Sequence, residues 1–181
     1  MVDRPVLAFF PVCDRDLPPH ISGPTEVAPT PVPAMTDSLH IVCPHCEAVN
    51  RVPPGRIAAG PACGKCHRPL FDGHPVPLNG AGFQKHLSRN HIPMLVDFWA
   101  PWCAPCRMMA PEFMKAAAQL EPGVRLVKVD TEAEPSLSAR YDIRSIPTLA
   151  FFRGGREIAR QAGAMQSASI VQWARAHGAD H

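Results

Sequence analysis

Neither sign of charge dominates this chain: 18 Lys and Arg stand against 16 Asp and Glu, a formal net charge of +2. That balance supplies no basic face for a polyanion, so nucleic acid is not an expected partner. Long apolar runs are missing too. The run 6–12 is short, is interrupted by Pro11 and has no clear cleavage site after it, well under the roughly 20 residues a membrane helix needs. No glycine-rich nucleotide fingerprint is present, so electrons for any redox chemistry must come from a partner. The missing apolar run leads us to expect a soluble protein that is not exported and makes no membrane contact; the cysteine grouping described next points to the cytoplasm, and a monomer is expected. Its 181 residues suffice for one domain with a sizeable core and a smaller unit beside it.

Seven cysteines are present. In a short secreted chain they would suggest a disulfide framework, but six fall into three CxxC pairs, a grouping that points to metal and redox chemistry. The seventh, Cys13, stands alone in the stretch 1–34, which is rich in proline and without helical or strand periodicity. Disorder is expected there, with Cys13 an incidental thiol and Met35 a candidate for the true start of translation.

The segment 39–72 carries Cys43-Pro44-His45-Cys46 and Cys63-Gly64-Lys65-Cys66. Two such tight turns supply the four converging thiolates that structural zinc prefers. Its large apolar residues are mainly Val49, Val52, Ile57, Leu70 and Phe71, too few to fold on alone, which favours a metal over free thiols or two disulfides. His45 and His67 adjoin the ligands and are alternative donors. Arg51, Arg56, Lys65 and Arg68 are suited to balance a dianionic tetrathiolate centre, although a docking role for them stays open.

From residue 74 onward, strand-like and helix-like patterns alternate as in an α/β domain. Strands are expected at 75–78, 94–99 and 124–129, and a hairpin pairs 148–153 with 157–162 around Gly154-Gly155. Helices are expected at 82–88, 104–120, 136–141 and 166–176, the second kinked at Pro111 and the last buried through Ile170, Val171 and Trp173.

The third pair follows the apolar strand 94–99, in Trp102-Cys103-Ala104-Pro105-Cys106. At the start of a helix, unpaired N–H groups and the positive dipole end favour a Cys103 thiolate. Only the thiolate attacks a disulfide, and Cys106 is placed to displace it afterwards. Asp97 interrupts the apolar strand, where a carboxylate is costly unless protonated or paired. Lys128 is either its partner on an adjacent strand or part of a solvated face.

The run from Val96 through Asp97, Phe98, Trp99, Ala100, Pro101 and Trp102 to Cys106 resembles the thioredoxin active-site signature. So does Arg144-Ser145-Ile146-Pro147-Thr148, which looks like that family's cis-proline loop, with Gly163 in the loop before the last helix. Together with the four-cysteine segment, the chain is similar to the bacterial thioredoxin-2 type. The resemblance implies a thioredoxin domain over 74–181 behind a zinc ribbon over 39–72. It implies a mixed five-stranded sheet in the order 1-3-2-4-5 with flanking helices, and Asp97 beneath Cys106 as its proton acceptor. Trp102, Pro105, Ile146, Pro147 and Gly163 would contact disulfide-bearing client proteins, with Ile146 offering backbone groups to an extended client strand. Thioredoxin reductase would return electrons from NADPH. Ala104 departs from the family's commonest glycine and leaves the potential open. A competing expectation is a zinc-dependent holdase or docking module, with a zinc site that releases its metal on oxidation.

Overall fold

The computed structural model describes residues 38–179; the stretch 1–34 with Cys13, and Met35, lie outside the described residues, as do 180–181. Strands β1 (Leu39–Val42) and β2 (Val49–Val52) form an antiparallel pair, with Leu39 opposite Val52 and Val42 opposite Val49. A 3-10 turn, Pro54–Ala59, follows. Beyond it lie β3 (Val76–Pro77), α1 (Gly80–Arg89), β4 (Met94–Trp99), α2 (Ala104–Leu120) and β5 (Arg125–Asp130). Then come α3 (Pro135–Arg140), β6 (Thr148–Arg153), β7 (Arg156–Ala162) and α4 (Ser167–Ala174). The second sheet runs β3-β5-β4-β6-β7, the expected 1-3-2-4-5 order, with β3 and β4 parallel to β5 and β6 antiparallel to β4.

β4 is almost wholly apolar because it is central, with helices over both faces. Its side chains alternate between two cores. Leu95 joins Met109, Phe113, Leu126, Phe151 and Ile170 beneath α2 and α4. Val96 and Phe98 join Phe83, Val127, Val129 and Phe152 on the other face. The same alternation sets Asp97 on the α2 side, with Leu95.

Local chemistry sets the element ends. Asn79 caps α1 by accepting from the Gly82 N–H at 2.8 Å, so the helix begins two residues before the sequence pattern suggested. Pro111 lies within α2, which the helix accommodates as one element across 17 residues. The β6–β7 turn needs two consecutive positive φ values, and Gly154 (56°) and Gly155 (78°) supply them without steric cost. α4 ends at Ala174, and its buried residues are Ile170, Val171 and Ala174, with Trp173 only half-buried against Phe151. Trp173 is long enough to reach the core edge, while the small Ala174 fits under it.

The four-cysteine segment also differs in detail from expectation. Val49 is 36% exposed, and Ile41, Val52 and Leu70 form its interior together with Ile92, which comes from the segment preceding β4. A unit too small for a core of its own borrows one residue from the segment leading into β4.

Candidate active site and metal site

The dithiol sits where β4 gives way to α2. Cys103 occupies the position just before the helix, and its Sγ accepts from the Cys106 N–H at 3.2 Å. This is one of the helix's orphan donors, placed where it would favour negative charge on Cys103 Sγ once the pair is reduced. Here Cys103 and Cys106 are joined in a disulfide, with Cα atoms 5.3 Å apart. Cys103 is 3% exposed and Cys106 0%. Of the two cysteines, only Cys103 keeps any exposure. Around them Trp102 is 63% exposed and Pro105 is exposed, whereas Ala100, Trp99 and Ile146 pack on the pair. Arg107 braces the loop by donating from Nη1 to the Pro101 carbonyl at 2.9 Å.

The loop before β6 meets the dithiol from the side. The Ile146 carbonyl lies 3.7 Å from Cys103 Sγ, and the Ile146–Pro147 bond is cis. Gly163, whose φ of +98° suits glycine, donates its N–H to the Pro147 carbonyl at 2.9 Å. The loop at Ile146–Pro147 therefore lies against Cys103, and Gly163 is tied to that loop.

Asp97 is fully buried, opposite Lys128 on β5 and Leu149 on β6. Lys128 Nζ stands 3.0 Å from Asp97 Oδ2 and 4.5 Å from the centre of the Trp99 ring. The other oxygen, Oδ1, has no partner. Burial pushes the carboxyl above its ordinary value, against the opposing pull of Lys128. Of the two roles open to Lys128 in the sequence, the ion pair is the one adopted.

The remaining two CxxC pairs form matching knuckles. Glu47 N–H donates to the Cys43 carbonyl at 3.0 Å, and His67 N–H to the Cys63 carbonyl at 2.9 Å. Glu47 and His67 both hold positive φ, 56° and 61°. His45 N–H and Lys65 N–H each lie 3.4 Å from the first sulfur of their own knuckle. His67 thus serves the turn through its backbone, and the His45 ring approaches Asp72 at 4.0 Å. Asn50, which no sequence pattern singles out, ties the knuckles together. Its side chain donates to the Ile41 and Ala48 carbonyls and accepts from Gly64 N–H at 2.9 Å.

The four sulfurs lie within 4.8 Å of one another, and among the described residues no other cluster of this kind occurs. Cys43 to Cys66 and Cys46 to Cys63 are each 3.7 Å. Zinc–sulfur bonds of about 2.3 Å in a tetrahedron demand sulfur separations of about 3.8 Å, so the donor set fits zinc. Burial pushes the Cys43 thiol up to about 12 against the His45 and Cys46 N–H groups. Burial also opposes the Cys63 thiolate, but the Cys66 and Lys65 N–H groups, the Cys46 thiol and Asn50 outweigh it and bring Cys63 down to about 6. Four thiolates share this volume only around a cation. Arg51, Arg56, Lys65 and Arg68 are all exposed. The buried cation nearby is Arg125, outside the segment.

A dithiol at a strand-to-helix junction, on a mixed sheet of this order, defines a thiol–disulfide oxidoreductase. The chain belongs to the thioredoxin family: the Thioredoxin family model matches residues 74–176, and the model described as Thioredoxin 2, N-terminal, matches 42–68. Thioredoxin C-3 of Corynebacterium nephridii is 46% identical over 133 residues, covering 74% of this chain and 91% of that protein. Thioredoxin 1 of a Nostoc species is 42% identical over 95 residues, 52% of this chain and 89% of its own length. Among solved structures, the thioredoxin of Malassezia sympodialis superposes with a TM-score of 0.52 at 27% identity, covering 57% of this chain and 90% of that one. No helix among the described residues is long and apolar enough to cross a membrane.

Proposed function

We propose that the chain reduces disulfides in client proteins, with residues 74–181 as the reducing domain and 39–72 as a zinc-binding module. The observation that carries the reading is the Cys106 N–H held 3.2 Å from Cys103 Sγ. In the reduced chain this donor stabilises a Cys103 thiolate, which attacks one client sulfur. A mixed disulfide forms, and the other client sulfur leaves as a thiolate. Cys106, once deprotonated, attacks Cys103 Sγ; the client's second thiolate departs, and two electrons have passed to the client.

Asp97 is the proton acceptor for Cys106 in this scheme. Its support is a buried position on the α2 side of β4 and a raised pKa that favours proton exchange nearer neutrality. Trp102, Pro105, Ile146, Pro147 and Gly163 form the client surface, where main-chain groups beside Cys103 accept many sequences. Cys43, Cys46, Cys63 and Cys66 hold zinc, which supplies the cross-link that closes the two knuckles. Thioredoxin reductase and NADPH return the electrons, in a cytoplasm that keeps such thiols reduced, and the chain acts as a monomer.

Insulin reduction with thioredoxin reductase and NADPH tests this. Wild type turns over, Cys103→Ser is inactive, and Cys106→Ser accumulates a mixed disulfide visible by intact mass. Equal turnover by wild type and Cys103→Ser sinks the scheme. Aggregation suppression that survives loss of both Cys103 and Cys106, but not of Cys43 and Cys46, would favour a zinc-dependent holdase instead.

A further inference from the structure

Arg125 is the largest fully buried side chain among the described residues, and it opens β5. Its Nη2 donates to the Leu70 carbonyl at 2.5 Å, its Nη1 donates to Glu121 Oε1 at 2.5 Å, and its guanidinium lies 4.7 Å from the centre of the Phe71 ring. Glu121, at the end of α2, turns its other oxygen to the Gly73 N–H at 2.8 Å. Two side chains from the sheet-and-helix body therefore grip Leu70, Phe71 and Gly73, the stretch just beyond the second knuckle.

That stretch is fixed from the other side by the metal site. Leu70 N–H donates to the Pro61 carbonyl, spanning the turn that holds Cys63 and Cys66. The Leu70 side chain packs with Cys43 and Cys63. The first knuckle is held separately: Val42 N–H reaches Asn90 Oδ1 at 2.8 Å, and His91 N–H reaches the His40 carbonyl at 2.9 Å.

We propose that Arg125, with Glu121, is a positioning residue that latches the four-cysteine segment to the thioredoxin domain, so that metal retention and thioredoxin-domain stability rise and fall together. This rests on the zinc-binding reading above. Opening of the knuckles withdraws the Leu70 carbonyl and leaves a buried guanidinium short of an acceptor, a costly state. By reciprocity, the factor by which bound metal favours the closed latch is the factor by which the closed latch favours metal binding.

The three tryptophans, Trp99, Trp102 and Trp173, all lie outside 39–72, so their fluorescence reports unfolding of the thioredoxin domain alone. The full chain, kept at one redox state, is melted zinc-loaded and after chelation, with zinc counted by mass spectrometry of the metal. The expected result is one zinc per chain and a midpoint several degrees lower without it. Arg125→Lys keeps the charge but cannot span the Leu70 carbonyl, Glu121 and the Phe71 ring together. It should lose zinc to a competing chelator with roughly tenfold weaker affinity, and its zinc-dependent shift should shrink. The double variant Arg125→Met with Glu121→Leu removes both charges, and its shift should vanish.

A chain that takes up no zinc overturns both the zinc reading and the latch. One zinc per chain with superimposing wild-type melts overturns the latch alone. So does Arg125→Lys if it lowers both melts equally and keeps wild-type zinc affinity, the mark of a merely structural residue.

Discussion

Asp97 and Lys128 face each other across neighbouring parallel strands, Nζ 3.0 Å from Oδ2, with the second carboxylate oxygen unpartnered. One lysine does not offset full burial of the carboxyl, which is held above its ordinary 3.8. A raised folded pKa means stability that is fully present below about 3.8 and is lost as pH rises through the raised value. Ionised Asp97 is then a net cost at neutrality. Asp97→Asn should stabilise the protein at pH 7, with the gain gone near pH 3, as read from urea unfolding. In the proposed scheme the same variant resolves its mixed disulfide more slowly.

His86 on α1 titrates with the opposite sense. It is 1% exposed, its Nε2 has no partner, and burial together with Arg125 and Lys85 lowers it from 6.5 to about 3. The unfolded chain takes the proton first, so His86 contributes nothing above about 6.5, and stability falls as pH drops from there toward 3. The slope should reach about 1.4 kcal/mol per pH unit from this residue. His86→Gln should flatten the stability profile between pH 6 and 4; a profile as steep as wild type would assign the acid sensitivity elsewhere.

Glu112 links α2 to α4 by capping a helix that has no cap of its own. Gln166 makes no side-chain capping bond, and Glu112 Oε2 accepts from the Ser167 N–H at 3.0 Å while Oε1 meets Lys115. Lys115 and Ser167 hold the carboxyl down to about 2 from 4.5. Its contribution is therefore present above 4.5 and lost as pH falls through that interval toward 2. Glu112→Gln should lower the melting point at pH 7, and the gap to wild type should close at pH 2.

Phe83 is the hub of an aromatic cluster, with the ring centres of Tyr141, Phe152 and Phe98 at 5.4, 5.7 and 6.5 Å. Phe83→Ala should cost about 3–5 kcal/mol in chemical denaturation, since the three remaining rings cannot collapse onto the vacancy.

The central strand was legible to the residue, because six apolar-rich positions between turn signals admit few alternatives. The sheet order came through the resemblance. What sequence reading missed has a common physical character. Asn50, Asn90, Glu112, Glu121 and Arg125 are polar residues with no periodicity of their own, and their importance arises only when tertiary contact brings a backbone group to them. Arg125 illustrates it best. In Val124-Arg125-Leu126-Val127-Lys128-Val129 it reads as one of two charges on a strand, yet it is buried while Lys128 keeps partial access to solvent. Only a carboxylate at the end of a preceding helix and a carbonyl from the four-cysteine segment distinguish the two. The Gly163–Pro147 bond escaped for the same reason.

The grip on Leu70 lies at the start of β5, and the disulfide follows the far end of β4, which runs parallel beside it for six paired residues. At about 3.3 Å per residue, the strand spaces the two by roughly the length of a small domain's sheet. Within residues 38–179, the grip on Leu70 and the disulfide therefore lie at opposite ends of the β4–β5 pair. An attachment made through the cysteine-rich segment would fall at the far end of that strand pair and leave the surroundings of Cys103, with the exposed Trp102, unobstructed.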